Sequence, residues 1–221
     1  MRCFRNRAEA GRRLAQALSS YKNRHPVVLA LPRGGAPVAA EIASALNAPL
    51  DLVLVRKIGV PAQPELAMGA VVDGAEPIVV RNEDVIQYAG VSGAEFNALC
   101  QEQLAEIERR RQLYIGERPR AEITGKTAIV VDDGIATGAT MKAALRALRQ
   151  RRPKELALAV PVAPPDAILE LRAEVDALFC LETPEPFGAI GYFYDDFRQT
   201  SDREVIAILD RFPAQRPSPA A

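Results

Sequence analysis

Apolar runs of strand length alternate with helix-length segments along most of this 221-residue chain. Parallel strands must be joined by crossover connections, which are usually helices, so the alternation predicts an α/β fold built on a parallel sheet with helices on both faces. The predicted strands cover residues 27–31, 50–55, 66–72, 78–80, 128–131, 156–162 and 175–181. The predicted helices cover residues 8–20, 38–46, 93–113, 140–151 and 165–173. Because no clear linker interrupts them, we predict one domain over residues 1–212 and a frayed, proline-containing tail over 213–221.

Composition excludes several classes of partner. Lys and Arg total 28 and Asp and Glu total 28, so no net field attracts nucleic acid or an anionic membrane, and any bound anion must be held locally. Three widely spaced cysteines, Cys3, Cys100 and Cys180, fit a reducing compartment better than a disulfide framework. With no apolar segment of secretory or membrane-spanning length, the expected location is the cytoplasm.

The stretch VVDDGIATGAT places two neighbouring acids, Asp132 and Asp133, directly after a predicted strand. Ligands of parallel sheets bind beyond the carboxyl ends of the strands. The loop then enters a predicted helix, whose first N–H groups and positive dipole end favour an anion. Gly138 allows close backbone approach, and the hydroxyls of Thr137 and Thr140 can donate hydrogen bonds. Since the acids can accept from vicinal hydroxyls, we predict a sugar phosphate site; the alternative is an ordinary strand-to-helix turn capped by Asp.

This stretch resembles the signature of the type I phosphoribosyltransferases. It is not a P-loop, because Gly-Lys-Ser/Thr does not follow, and it lacks the G-x-G-x-x-G of dinucleotide-binding folds. The resemblance implies that Asp132 and Asp133 hold the ribose hydroxyls of phosphoribosyl pyrophosphate. It implies that the 5-phosphate binds a loop formed by Gly134, Ile135, Ala136, Thr137, Gly138, Ala139 and Thr140. The expected cofactor is Mg²⁺, held mainly by substrate oxygens, with the two aspartates as further candidate ligands.

A second stretch, LALPRGGAPVAAEIA, also runs from a predicted strand through a glycine-rich loop into a helix. It resembles the pyrophosphate loop of the same family, which often contains a non-proline cis peptide that turns backbone amides towards the pyrophosphate. Arg33 would supply positive charge there, and Gly34 and Gly35 would allow close approach. The alternative is that the two glycines only permit a tight connection.

A third stretch, LVRKIGVP, places Arg56 and Lys57 at the end of the next predicted strand. It resembles the adenine-type members of the family, in which a basic residue at this point reaches the pyrophosphate. The loop that follows would close over the site, so Pro61, Pro64 and Glu65 are assigned to a candidate lid. The alternative is a basic pair on the surface.

Aromatic residues, only 5% of the chain, are concentrated in PEPFGAIGYFYDDF. The stretch resembles the C-terminal hood of purine phosphoribosyltransferases, here residues 183–200. By that match Phe187 stacks on the base and Asp195 makes a polar contact. A satellite core or a dimer surface is the alternative.

The chain departs from the family pattern at two places. Hypoxanthine-guanine enzymes carry a carboxylate directly before the Thr-Gly of the loop, whereas this chain has Ala136, so a general base from the loop is not expected. Residues 81–120 form an extra, predicted helical insertion. Its Arg109, Arg110 and Arg111 cap the active site or bind an anion; the alternative is a solvated helix face.

The resemblance implies a phosphoribosyltransferase that transfers the ribose 5-phosphate group to a nitrogenous base or amine, with Mg-assisted release of pyrophosphate. Its catalytic candidates are Arg33, Lys57, Asp132 and Asp133. The alternatives are a sensor that binds phosphoribosyl pyrophosphate without turnover, and a module that releases pyrophosphate without an acceptor. A homodimer is expected from the same resemblance.

Overall fold

The structure, a computed structural model, describes residues 3–74 and 77–212. The predicted tail, residues 213–221, lies outside these residues. Within them, no helix combines the length and the apolar character that crossing a bilayer requires.

The centre of the molecule is a parallel sheet of five strands in the order β2-β1-β6-β7-β8. Its strands are β1 Val27–Ala30, β2 Leu50–Leu52, β6 Thr127–Val131, β7 Glu155–Val162 and β8 Ala177–Glu182. All residues of β1, β2 and β6 are buried, as expected for strands covered on both faces. From β1 the chain continues to β2 on one side, while β6 pairs with β1 on the other. The order therefore changes direction between β1 and β6, which is where α/β sheets bind ligands.

Helices cover both faces of this sheet, as predicted. The first core cluster contains residues of α1 Arg7–Ala17, α2 Gly35–Leu46 and α7 Asp202–Asp210. The second contains residues of α5 Ala139–Gln150 and α6 Pro165–Arg172. The helix predicted for residues 8–20 is shorter, because α1 ends at Ala17 and the chain continues as a 3-10 helix, Ser19–Arg24.

A second, antiparallel sheet corrects part of the strand prediction. It has the order β3-β4-β5, with β3 Val55–Val60, β4 Gln63–Val72 and β5 Ile78–Arg81. The predicted strand 50–55 is divided between β2 and β3, and the predicted strands 66–72 and 78–80 join this separate sheet. Only two residues connect β3 to β4, which is too short for a crossover, so the pair must be antiparallel.

The antiparallel sheet also corrects the placement of Arg56 and Lys57. Both residues lie inside β3 rather than at the end of the preceding strand, and they pair with Val71 and Ala70 of β4. Strands β2 and β3 are separated only by residues 53–54, which are themselves apolar and buried, so the sequence pattern did not show where β2 ends and β3 begins.

The insertion consists of two helices, α3 Glu83–Tyr88 and α4 Gly93–Tyr114. A capping box starts α4: the Ser92 hydroxyl accepts from the Glu95 N–H at 3.2 Å, and the Glu95 carboxylate accepts from the Ser92 N–H at 2.9 Å. Phe96 and Ile107 bury the inner side of α4 in the same cluster as Ile58 of the antiparallel sheet. The insertion is therefore part of the main core.

The chain after α4 is fastened to the edge of the parallel sheet. The Ala121 N–H donates to the buried Asp51 carboxylate at 2.7 Å, and Arg118 donates to the carbonyls of Leu50 and Leu209. Burial raises the pKa of Asp51, whereas the N–H groups of Ala121 and Leu52 lower it. This connection holds the insertion against β2.

The hood contains one short 3-10 helix, Ile190–Phe193, after β8. Its core is a small separate cluster that joins Phe193 and Tyr194 to Phe4 near the start of the chain. The N–H groups of Cys3 and Phe4 donate to the Phe193 carbonyl at 3.0 Å. Residues 3 and 4 thus pack and hydrogen-bond with the hood.

Candidate active site

The two glycine-rich loops singled out in the sequence meet at the point where the strand order changes direction. Ala30 and Val131 end neighbouring strands in register, and the Leu31 N–H donates to the Val131 carbonyl at 2.9 Å. A Cβ atom on Gly34 would lie 2.0 Å from Oδ2 of Asp133, so only glycine fits there. The Pro32–Arg33 peptide is cis, the kind of bond that the family resemblance led us to expect in this loop.

The predicted phosphate loop encloses a small cavity of about 190 Å³, lined by residues 134–141 and by Asp132. Among the described residues, no backbone hydrogen bond starts from the amides of residues 136–138. Gly138 precedes α5 in a left-handed conformation with φ 76°, which glycine adopts without strain. Thr137 and Thr140 are exposed, and the first N–H groups of α5 add to the donors. The loop can therefore bind a phosphate dianion.

Gly134 and Ile135 line the phosphate cavity and also fix the loop to neighbouring elements. Ile135 is buried in the core, and its N–H donates to the Val162 carbonyl at 2.9 Å. A Cβ on Gly134 would lie 2.5 Å from Ile190 of the hood. Phosphate loop and hood are thus in direct contact.

The first acid of the pair faces the phosphate cavity. Asp132 lines that cavity, and its Oδ1 accepts from the Asp133 N–H at 2.8 Å. Burial raises the pKa of Asp132 well above its ordinary value; the neighbouring Asp133 raises it further, and the more distant Arg7 opposes both.

The second acid has a cationic partner that the sequence analysis missed. Oδ2 of Asp133 accepts from Nε of Arg7 at 2.7 Å, with both side chains almost fully buried. The Tyr194 hydroxyl donates to the Asp133 carbonyl at 2.6 Å. Burial and the nearby Asp133 raise the pKa of Tyr194. Arg7 and Asp133 are 126 residues apart, and no local motif marks Arg7 as a site residue.

Arg33 lies close to elements from two distant parts of the chain. Its Nη1 is 3.5 Å from Oδ1 of Asp202, at the start of α7. The Tyr114 hydroxyl at the end of α4 donates to the same oxygen. Burial, together with this hydrogen bond, raises the pKa of Tyr114 to about 12. The loop after β1 is thereby connected to the insertion and to the C-terminal helix.

Arg56 and Lys57 form their hydrogen bonds with residues outside these loops. Nε of Arg56 donates to Oε1 of Gln103 on α4 at 3.0 Å, and Nζ of Lys57 donates to Oε2 of Glu65 at 3.0 Å. Within the described part of the chain, no hydrogen bond or ion pair joins either side chain to the acid pair or to residues 32–35. Their contact with pyrophosphate stays a prediction.

The hood places its aromatic residues partly in its own small core. Phe187 is half-buried, and its ring centroid lies 5.2 Å from that of Phe193. Asp195 is exposed, and its N–H donates to the Phe4 carbonyl at 2.9 Å. Tyr192 is 70% exposed and is the more accessible ring of this segment. Base stacking by Phe187 and a polar contact by Asp195 stay predictions.

The arginine run of the insertion forms ion pairs on its own helix. Arg109 and Arg110 both pair with Glu106, and Arg111 pairs with Glu108. The hydrogen bonds from Arg109 and Arg110 lower the pKa of Glu106 to about 2. Arg109 is exposed, whereas Arg110 and Arg111 are half-buried, so both alternatives for this run stay predictions.

Asp132 and Asp133 can bind a metal ion only if a bound substrate supplies most of the coordinating oxygen atoms. Among residues 3–74 and 77–212, no group of three or more His, Cys, Asp or Glu could hold a metal ion. One of the two carboxylates is already paired with Arg7. Mg²⁺ is commonly bound by one or two carboxylates together with substrate phosphates and water, so a substrate-borne Mg²⁺ fits these residues.

Comparison with known proteins agrees with this geometry. The family model described as "Phosphoribosyl transferase domain" matches residues 4–197. The chain is 46% identical over 211 residues to a Mycobacterium tuberculosis protein (strain H37Rv) named "Putative phosphoribosyl transferase Rv0571c". That match covers 96% of this chain and 47% of the relative, so the chain spans about half the relative's length. The crystal structure of TT1426 from Thermus thermophilus is similar with a TM-score of 0.85 and 41% identity, over 97% of this chain and 100% of the other.

Proposed function

The chain belongs to the phosphoribosyl transferase family, and on this premise we propose that it transfers the ribose 5-phosphate group of phosphoribosyl pyrophosphate to a nitrogenous acceptor. Pyrophosphate is the second product. Because the chain spans about half the length of its curated relative, its substrates are proposed from its own site and not from the relative.

The observation that carries this proposal is the contact between the two loops. The loop at residues 32–35 and the acid pair follow adjacent strands, and Gly34 lies directly against the Asp133 carboxylate. The phosphate cavity is lined from the next residue, Gly134, onwards, and within the described residues the amides of 136–138 donate no backbone hydrogen bond. One ligand with a phosphate at one end, a diol in the middle and a second anionic group near residues 32–35 matches this order.

Each part of the site has a role in the proposed reaction. The amides of residues 136–140 bind the 5-phosphate, and the hydroxyls of Thr137 and Thr140 add donors. Asp132 accepts hydrogen bonds from the ribose hydroxyls. Arg33 and the start of α2 attract the pyrophosphate, and Lys57 is a second candidate cation.

The chemistry needs positioning and electrostatics more than proton transfer. The bond from the anomeric carbon to the pyrophosphate oxygen breaks, its electron pair leaves with pyrophosphate, and the ribose becomes oxocarbenium-like. The acceptor nitrogen then forms the new bond from the opposite face and inverts the anomeric centre, and an N–H acceptor loses its proton to the released pyrophosphate or to water. Stabilisation by Asp132 of the positive sugar and by Arg33 of the leaving group acts where charge develops. When bound, Mg²⁺ supplies further neutralisation of the leaving pyrophosphate.

The test measures pyrophosphate release from phosphoribosyl pyrophosphate and Mg²⁺, with and without a panel of purines, pyrimidines and amines. We expect release that depends on one acceptor and on Asp132. Asp132→Asn should abolish most of it, whereas Asp166→Asn, an exposed acid at the start of α6, is the matched control.

The other outcomes separate the competing functions. Release without any acceptor would indicate a hydrolytic module, and binding without release would indicate a sensor. If calorimetry detects no binding of phosphoribosyl pyrophosphate with Mg²⁺, the proposed function is wrong. A homodimer and a cytoplasmic location stay predictions of the family resemblance.

A further inference from the structure

The two adjacent acids have different surroundings. The Asp133 side chain is only 12% exposed, because Arg7 covers one side of its carboxylate and Gly34 lies against another. Asp132 lines the phosphate cavity instead. The pair therefore presents one carboxylate to a ligand and keeps the other inside the protein.

The Arg7 guanidinium makes three contacts that hold this arrangement. Its Nε donates to Asp133, its Nη1 donates to the Arg198 carbonyl at 2.7 Å, and its guanidinium lies 4.0 Å above the Phe197 ring. Phe197 in turn stacks on Tyr194, whose hydroxyl donates to the Asp133 carbonyl. Side chains from the start of α1 and from the hood thus converge on one acid.

We propose that Arg7 is a positioning residue of the phosphoribosyl pyrophosphate site, which anchors Asp133 internally, fastens the hood to the acid pair and leaves Asp132 as the carboxylate that meets the sugar. This inference rests on the proposed function. It assigns different roles to two acids that the sequence pattern treats as equivalent.

Charge explains why the site needs this arginine. Phosphoribosyl pyrophosphate is a polyanion, and two neighbouring carboxylates would repel it unless one of them were compensated. Arg7 supplies the compensating positive charge where its side chain and that of Asp133 are almost fully buried, so salt screens the attraction between them only weakly. The contacts of Arg7 with a carboxylate, a carbonyl and an aromatic ring require a planar guanidinium group with several N–H donors, so lysine is not an equivalent substitute.

The chain offers a matched control on the same helix. Arg13 also pairs with a carboxylate, Glu182, at 2.8 Å, donates to a carbonyl, that of Cys3, at 3.0 Å, and lies over a ring, that of Phe4, at 4.8 Å. It makes the same three kinds of contact to the hood and to β8 but does not touch the acid pair. The Arg13 side chain is 37% exposed and that of Arg7 11%, so the unfolding measurements show how much of each loss is due to packing.

The experiment compares the dissociation constant for phosphoribosyl pyrophosphate with Mg²⁺ in Arg7→Ala and Arg13→Ala, with urea unfolding measured in parallel. We expect Arg7→Ala to weaken binding by about tenfold or more, because the uncompensated Asp133 carboxylate would repel the polyanion, and Arg13→Ala to weaken it by less than about twofold. Adding Asp133→Asn to Arg7→Ala removes the uncompensated charge and should recover most of the affinity. Because neutralising a buried, unpaired carboxylate also restores stability, binding is compared only under conditions in which urea unfolding shows that all the variants are fully folded.

The two acids provide an independent comparison if Arg7→Ala does not fold. Asp132→Asn should weaken binding at least about fivefold more than Asp133→Asn, because only Asp132 meets the sugar. Equal losses for the two acids, equal losses for the two arginines, or no recovery in the double variant would overturn the inference while leaving the proposed function intact. Absence of binding by the unmodified protein would instead overturn the proposed function and, with it, this inference.

Discussion

Replacing Gly34 by alanine tests whether the contact between the two loops holds the candidate site together. Gly34 has helical backbone angles, φ −62° and ψ −35°, so alanine is acceptable to the backbone and the effect is purely steric. The added Cβ would lie 2.0 Å from Oδ2 and 2.4 Å from Cγ of Asp133. Real Cβ atoms essentially never approach other atoms within 3.0 Å, so the carboxylate or the loop must move by about 1 Å or more.

The cost follows from what that movement breaks. A shift of this size would lengthen the Arg7–Asp133 hydrogen bond from 2.7 Å beyond hydrogen-bonding distance. Separating a buried ion pair costs about 3–5 kcal/mol, and overpacking without separation costs about 1–3 kcal/mol. We therefore expect Gly34→Ala to lower the free energy of unfolding by about 3 kcal/mol, which corresponds to a fall in Tm of about 6–12 °C for a chain of this size.

Urea unfolding monitored by circular dichroism measures this change, with Gly93→Ala as the control. Gly93 is the first residue of α4, and a Cβ there would meet no atom within 4 Å, so its free energy of unfolding should change by less than about 0.5 kcal/mol or rise slightly. Binding of phosphoribosyl pyrophosphate should weaken only in Gly34→Ala. Equal stability and equal binding in the two variants would show that the loops do not depend on this contact.

Three further predictions concern the phosphate loop, the connection after the insertion and two buried tyrosines. Gly138→Ala forces a left-handed conformation, φ 76°, on alanine, so we expect a loss of about 1 kcal/mol in urea unfolding and weaker phosphate binding; an unchanged variant would mean that the loop adopts another conformation without cost. Arg120→Ala leaves the buried Asp73 without its cation and should lower the free energy of unfolding by about 3 kcal/mol. The control is Arg109→Ala, on the exposed side of α4, which should lower it by less than about 0.5 kcal/mol. Similar losses in both variants would refute a stabilising role for the buried Arg120–Asp73 pair. Burial and hydrogen bonds to Glu155 and Asp202 raise the pKa of Tyr21 and of Tyr114 to about 12, above the ordinary value of 10.0. The contribution of the raised pKa values to stability is complete below pH 10 and is lost as the pH rises through 12. The free energy of unfolding in urea should therefore fall over this range, and Tyr21→Phe and Tyr114→Phe should each make the fall smaller. If the unmodified protein shows no fall, the raised pKa values are wrong.

The sequence by itself determined the parts of this protein that are local along the chain. Each glycine-rich loop, the acids beside it and the helix that follows are contiguous, so the pattern of residues specifies a strand, a turn and a helix N-terminus together. The alternation of apolar runs likewise predicted the parallel sheet with helices on both faces, because hydrophobic periodicity reports local burial. It did not separate β2 from β3, since both strands belong to nearly continuous apolar sequence interrupted only briefly.

Only the tertiary structure decided which distant residues complete the site. Arg7 meets Asp133 across 126 residues of sequence, and Arg33 meets Asp202 across 169 residues. Such pairs depend on how the hood, the insertion and α7 pack around the sheet, and many arginines in the chain could satisfy an acid equally well by charge alone. Opposite charges select a particular partner only when packing brings the two groups together and excludes water. The different surroundings of Asp132 and Asp133 therefore depend on the fold and not on the sequence motif.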